Sequence, residues 1–105
     1  MRFVETPIFT KRLKALLPDD DYRALQVALM LRPEQGLLIK RGGGLRKVRW
    51  APHGAGKRGG VRLIYFWHPE EEVIYMLFAY GKSDQEDLTP EQLRVLARVV
   101  REELK

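Results

Sequence analysis

The sequence predicts an α+β fold: an N-terminal helical hairpin and a C-terminal helix packed on a small, mainly antiparallel β-sheet. Helical periodicity punctuated by prolines runs from residue 6 to residue 33. Glycine-rich turns then separate β-branched and aromatic runs, and a dense set of helix-start signals follows at residues 88–93. With 105 residues the chain has the length of one domain, so we expect residues 1–105 to form a single domain.

The N-terminal third predicts a short strand followed by the helical hairpin. Residues 3–5 alternate as a strand, and Thr6-Pro7 supplies a capping oxygen before a proline at the first helical position. The first helix ends at Pro18. Asp19 to Asp21 place negative charge at the N-terminal end of the second helix, which Pro33 ends. The side chains expected on the buried faces are Phe9, Leu13, Leu16, Leu17, Tyr22, Leu25, Ala28, Leu29 and Arg32.

The middle of the chain predicts a three-strand meander, at about residues 45–51, 60–68 and 73–80. The last of these runs is apolar at both its odd and its even positions, which is typical of a central strand covered on both faces. After it, Thr89 is a helix cap, Pro90 the first helical residue, and Gln92 completes a capping box.

Composition excludes several classes of protein. The chain has no cysteine, which excludes disulfides and thiolate metal sites. No signal peptide is recognisable, and the longest apolar run is far shorter than the ~20 residues of a membrane span, so we expect a soluble cytoplasmic protein without a membrane partner. The two histidines, His53 and His68, are isolated, and Ser83 is the only serine. We therefore expect neither a metal site nor a nucleophilic triad, and no cofactor.

The positive charge is concentrated in one segment. Residues 40–62 contain no acidic residue and eight basic ones: Lys40, Arg41, Arg46, Lys47, Arg49, Lys57, Arg58 and Arg62. The other 82 residues carry 11 basic and 14 acidic side chains, which gives them a net charge of −3. Such a concentration is typical of a polyanion partner, usually a nucleic acid. The alternative is a solvated basic face without a partner.

Strand alternation places Lys47 and Arg49 on one face of a strand, and Val48 and Trp50 on the other. The glycine-rich loop that follows contains a literal GxGxxG, but it joins two strands. It therefore lacks the helix N-terminus that a dinucleotide site needs.

These features favour chemistry on a phosphodiester that uses cations. If the substrate is RNA, its own 2′-hydroxyl is the attacking group, and the protein supplies positioning, proton transfer and charge stabilisation. We expect Arg62 to stabilise the phosphate, because a guanidinium holds two phosphate oxygens. Lys57 and Lys82 are candidates for proton transfer or charge stabilisation. Tyr80 and Tyr65 are candidates for base stacking or proton donation, the alternative being that they fill the core.

Three runs together resemble a known family. They are Gly44 to Arg49, Gly56 to Tyr65, and Tyr80-Gly81-Lys82 before Asp87-Leu88. They resemble the RelE superfamily, specifically HigB-type toxins of bacterial toxin–antitoxin modules, over nearly the whole chain. The resemblance implies a RelE-like fold and a toxin that enters the ribosomal A site, cleaves mRNA there and inhibits translation. It implies as partners the ribosome with its mRNA and rRNA, and a HigA-like antitoxin with a helix-turn-helix part.

By position, the resemblance assigns the basic strand residues to Lys47 and Arg49, the arginine of the next strand to Arg62, and the basic position after the last strand to Lys82. Lys57 and Arg58 match the loop of the HigB-like branch. With Arg46 and Tyr65 added, the RNA-binding set is Arg46, Lys47, Arg49, Arg58 and Tyr65, and the catalytic set is Lys57, Arg62, Lys82 and Tyr80. Several relatives have a C-terminal tyrosine or histidine for proton transfer, which residues 83–105 lack, so the general base and acid are unassigned.

Two other functions fit the same residues. One is a nucleic-acid-binding module without catalysis, in which the basic β-hairpin of the meander binds phosphates nonspecifically. The other is a protein-interaction domain whose basic face meets an acidic partner.

Overall fold

The computed structural model describes residues 1–51 and 60–105, and its secondary structure confirms the predicted α+β class. The strands of this part are β1 (Arg2–Glu5), β2 (Leu37–Leu38), β3 (Arg46–Trp50), β4 (Val61–His68) and β5 (Val73–Gly81). The helices are α1 (Pro7–Leu16), α2 (Asp19–Leu31) and α3 (Pro90–Val99), and α3 continues into a π-helical turn (Val100–Leu104).

The five strands form one sheet in the order β1-β5-β4-β3-β2. β1 runs parallel to β5, and every other neighbouring pair is antiparallel. The meander strands lie within a residue of their predicted bounds, and β5 is buried on both faces as predicted. Within the described residues, no helix is long and apolar enough to cross a membrane.

The helix-start signals act as the sequence predicts. The Thr6 hydroxyl accepts a hydrogen bond from the Phe9 amide at 3.1 Å and donates one to the Leu77 carbonyl at 2.9 Å, so the cap also ties α1 to β5. Thr89 and Gln92 form the complete capping box at the start of α3.

Each face of the sheet has its own apolar core. The hairpin face, against α1 and α2, buries Phe9, Leu13, Leu25, Leu29, Leu63 and Tyr65 among others. The C-terminal face, against α3 and the π-helical turn, buries Leu45, Ile64, Phe66, Phe78, Tyr80 and Val100 among others. Trp50 and Trp67 pack partly buried against the hairpin face.

The structure differs from the sequence-based expectations at β2 and at the end of α2. β2 is only two residues long and its leucines are exposed, so it has no periodicity to detect; it pairs with β3 through Leu37↔Lys47 and Leu38↔Arg46. Arg32, expected on the buried face of α2, is exposed at its C-terminal end.

Candidate functional site

Three neighbouring strands bring functional side chains of the C-terminal face side by side. In the register of the sheet, Arg49 of β3 lies opposite Arg62 of β4, and Arg62 lies opposite Tyr80 of β5. The position of Tyr80 on this face depends on a β-bulge in β5. The register between β4 and β5 shifts at the bulge, so the consecutive residues Leu77 and Phe78 both pack in the C-terminal core. One extra residue reverses the parity of the rest of the strand, which turns Tyr80 toward Arg62.

Arg62 is the buried cation of this group, with 7% of its surface exposed. Within the described residues no carboxylate pairs with it, its Nε has no hydrogen-bond partner, and residues 52–59 contain no Asp or Glu. A buried charge without a counterion costs several kcal/mol, so the site favours an anion. Gly60 makes room for the guanidinium, because a Cβ at that position would lie 2.7 Å from Nη1 of Arg62.

Arg62 opens into a groove of about 310 Å³ at the end of the sheet. Arg49 and Lys82, both exposed, line the groove together with Trp50 and Gly60. The Lys82 amide donates to the Gly60 carbonyl at 3.1 Å, which joins the end of β5 to the start of β4. Three cations at one groove suit a chain of phosphodiesters, in which each phosphate carries one negative charge and accepts hydrogen bonds.

Tyr80 lies beside Arg62 with its side chain fully buried. Within the described part of the chain its hydroxyl has no hydrogen-bond partner. Burial, and secondarily the charge of Asp87, raise the pKa of Tyr80, against a smaller lowering effect of Arg62 and Arg49. The phenol therefore keeps its proton at neutral pH. A base cannot stack on the buried ring, so the stacking role predicted for Tyr80 is wrong. The hydroxyl is buried too, and proton donation by it stays a prediction.

In the described part of the chain, no ion pair of Arg49, Arg62 or Lys82 is present, whereas Lys47 has a carboxylate partner there. Its Nζ lies 2.9 Å from Oδ1 of Asp87, and its side chain is only 17% exposed, against 75% for Asp87. The hydrogen bond from Lys47 lowers the pKa of Asp87, helped by the Leu88 amide and by Arg49. Sequence reasoning missed Asp87 as a site residue, since nothing in the chain relates it to a lysine 40 positions away.

Comparison with known families shows which family the chain belongs to. The model of a family described as "RelE toxin of RelE / RelB toxin-antitoxin system" matches residues 1–104. The chain belongs to the RelE toxin family. The resemblance to the RelE superfamily is thus confirmed, and with it a role as the toxin of a toxin–antitoxin pair, for which the family implies an antitoxin partner.

Two residues of this RelE-family toxin that were predicted to contact RNA, Tyr65 and Arg46, lie on the hairpin face of the sheet, away from the cationic groove. Tyr65 is fully buried in the hairpin core; its hydroxyl donates to the Pro33 carbonyl at 2.6 Å and accepts from the Gly36 amide at 2.9 Å. Burial raises the pKa of Tyr65. The prediction that Tyr65 stacks a base or donates a proton is therefore wrong.

Arg46 lies opposite Tyr65 in the register and has a similar structural role. Its Nη1 donates to the carbonyls of Glu34 and Gly36, both at 2.8 Å, and so holds the connection between α2 and β2. Strand alternation turns it away from Lys47 and Arg49. The structure therefore does not bring Arg46 into the RelE-family toxin's cationic site.

The structure brings together Lys47, Arg49, Arg62, Tyr80 and Lys82 from the predicted sets. Lys57 and Arg58 lie outside the described residues. Among the residues that are described, no group of three His, Asp or Glu side chains is placed to hold a metal ion.

Proposed function

We propose that this RelE-family toxin is a ribosome-dependent endoribonuclease of the HigB type, which cleaves mRNA in the A site without a metal ion and is neutralised by a HigA-like antitoxin. The observation that supports the proposal most strongly is Arg62, buried, without a carboxylate partner among the described residues, and open to a groove that Arg49 and Lys82 also line. Family membership supports the toxin role and the antitoxin partner.

In the proposed reaction the RNA 2′-oxygen attacks the adjacent phosphorus and the 5′-oxygen leaves. The 2′-hydroxyl loses its proton, the 5′-oxygen gains one, and the products are a 2′,3′-cyclic phosphate and a 5′-hydroxyl. Negative charge builds up on the non-bridging oxygens during the attack, and the Arg62 guanidinium is held in place to stabilise it. Arg49 and Lys82 hold the flanking backbone.

Tyr80 contributes a hydrogen bond in this scheme. Its phenol keeps its proton because burial raises its pKa, and it lies opposite Arg62 in the register. In this proposal its hydroxyl, which has no partner among the described residues, donates to an oxygen of the phosphate that Arg62 binds. Lys57, which precedes β4 in the sequence, is the proposed proton-transfer residue.

Inducible expression in a bacterium tests the proposal. We expect wild-type protein to arrest growth and to create new mRNA 5′ ends within translated frames, and Arg62→Ala to do neither. Arg94→Ala is the matched control, because Arg94 is an exposed arginine on α3, outside the groove. Circular dichroism and thermal melting establish that each variant is folded.

Folded, well-expressed wild-type protein that produces no new ends would contradict the enzyme proposal. If that protein still binds RNA, and Arg62→Ala weakens binding no more than Arg49→Ala does, the chain is a binding module without catalysis.

A further inference from the structure

A second groove lies next to the cationic site, on the other side of Lys47. It has a volume of about 360 Å³. It is lined by residues of β2 and of the segment after it, of the turn after β5, and of α3, and its apolar side chains on the face of Lys47 are those of Leu37, Ile39, Leu88 and Leu93. Leu37 and Leu38 are 71% and 63% exposed, so their apolar surface faces the solvent. Lys40, Lys47 and Asp87 provide the polar groups of the same groove, and of these Lys47 and Asp87 form an ion pair.

The turn that carries Asp87 is held by a hydrogen-bond network. Nε2 of Gln85 donates to the Asp87 carbonyl at 2.7 Å and to Oε1 of Gln92 at 2.8 Å, and that same oxygen closes the capping box of α3. The Asp87 carboxylate is thereby held beside Nζ of Lys47. Because its pKa is lowered, the carboxylate is a charged acceptor at neutral pH.

The distance to the cationic site suits a nucleotide chain. Lys47 and Arg49 lie two residues apart on the same face of β3, which corresponds to about 7 Å. This is close to the length of one nucleotide. An RNA strand whose phosphate contacts Arg49 and Arg62 therefore places a neighbouring base at the groove beside Lys47.

The polar groups of the groove match one nucleobase. An ammonium next to a carboxylate presents one donor followed by two acceptors. Guanine presents the complement, with O6 as acceptor and N1–H and N2–H as two adjacent donors. Adenine, cytosine and uracil do not present that order. Apolar walls on either side suit the faces of a planar base.

We propose that the groove between β2 and α3 is a guanine subsite, in which Lys47 donates to O6 and Asp87 accepts from N1–H and N2–H. The proposal rests on the proposed function for its ligand, a single-stranded RNA, and it makes Asp87 a specificity-determining residue. The leucines of the groove cover the faces of the base.

Equilibrium binding of short 2′-fluoro oligouridines tests the subsite without cleavage, because these strands lack the attacking hydroxyl. Each strand carries one central G, A, C or U. We expect wild-type protein to bind the strand with G about tenfold more tightly than the other three. Asp87→Asn is expected to reduce this preference to within about twofold, because its amide replaces one acceptor by a donor.

Glu86→Gln is the matched control, since it removes the same charge from the neighbouring exposed position and should retain the preference for G. Leu37→Ser is a second variant, expected to weaken binding of the strand with G while the strand with U is unaffected, because Leu37 pairs with Lys47 and lies on the same face of the sheet.

The outcomes separate this inference from the proposed function. Equal wild-type affinity for all four strands, in a protein that cleaves mRNA in cells, overturns the guanine subsite alone. A preference for G that Asp87→Asn retains also overturns it. A preference for G that Asp87→Asn removes, in a protein that does not cleave mRNA, supports the subsite and contradicts the proposed nuclease.

Discussion

The sheet contains two arginine–tyrosine pairs on neighbouring strands, one on each face, and their surroundings are opposite. Arg46 and Tyr65, on the hairpin face, donate to backbone carbonyls of residues 33–36. Arg62 and Tyr80, on the C-terminal face, leave Nε and the hydroxyl without partners in the described part of the chain. The same two residue types thus stabilise the fold in one place and leave binding capacity unused in the other. The first pair supports structure and the second is suited to a ligand.

The largest expected difference in stability is between the single variants Tyr65→Phe and Tyr80→Phe, each of which removes one tyrosine hydroxyl. Tyr65→Phe leaves the Gly36 amide and the Pro33 carbonyl without their partner, so we expect the free energy of unfolding to fall by about 2 kcal/mol. Tyr80→Phe breaks no hydrogen bond among the described residues, so we expect a change below about 0.5 kcal/mol. Urea denaturation of both variants measures the difference.

The same two variants should differ in the opposite way in activity. Tyr65→Phe should cleave mRNA at the wild-type rate per folded molecule, whereas Tyr80→Phe should be slower by about tenfold, for the loss of one hydrogen bond to the phosphate. Equal destabilisation by the two substitutions would remove the distinction between the two pairs.

The two arginines provide the next contrast. Arg46→Met loses hydrogen bonds to two carbonyls, and we expect it to cost about 1 kcal/mol of stability. Arg62→Met replaces a buried charge that has no carboxylate partner in the described residues by an apolar chain of similar length, so stability should stay constant or rise. Thermal melting at one pH and one salt concentration is the measurement. A large loss of stability for Arg62→Met would show that this guanidinium is structural.

The smallest expected effect on the free energy of unfolding is that of breaking the Lys47–Asp87 ion pair, and this effect depends on pH. The folded-state pKa of Asp87 is lowered, so its contribution to stability is present above its ordinary pKa, and is lost as the pH falls through the folded value. Because Asp87 is largely exposed, we expect Asp87→Asn to cost under about 0.5 kcal/mol at pH 7. Melting curves should show this cost decreasing as the pH falls below the ordinary pKa of an aspartate. A cost that is independent of pH would contradict the ion pair as its origin.

Much of this fold follows from local signals in the sequence. The caps at Thr6 and Thr89 and the three strands of the meander need only neighbouring residues to be recognised. The bulge in β5 does not, because a strand that is apolar at both parities gives no indication of where its phase changes. The position of Tyr80 beside Arg62 depends on that bulge.

The concentration of positive charge in residues 40–62 identified Arg49 and Arg62 as site residues. Charge alone does not tell on which face of the sheet a basic residue lies. Arg46 is part of the same basic run, and the alternation that assigns Lys47 and Arg49 to one face already assigns Arg46 to the other. Asp87 required the tertiary structure, since its partner Lys47 lies on a distant strand.

The central claim is that Arg62 stabilises the reacting phosphate. Its most direct test is the single-turnover rate at which Arg62→Met cleaves mRNA in a programmed ribosome complex, with toxin in excess. We predict a rate at least about 100-fold below that of the wild type, in a variant that is no less stable. A rate within about threefold of the wild type would contradict the claim.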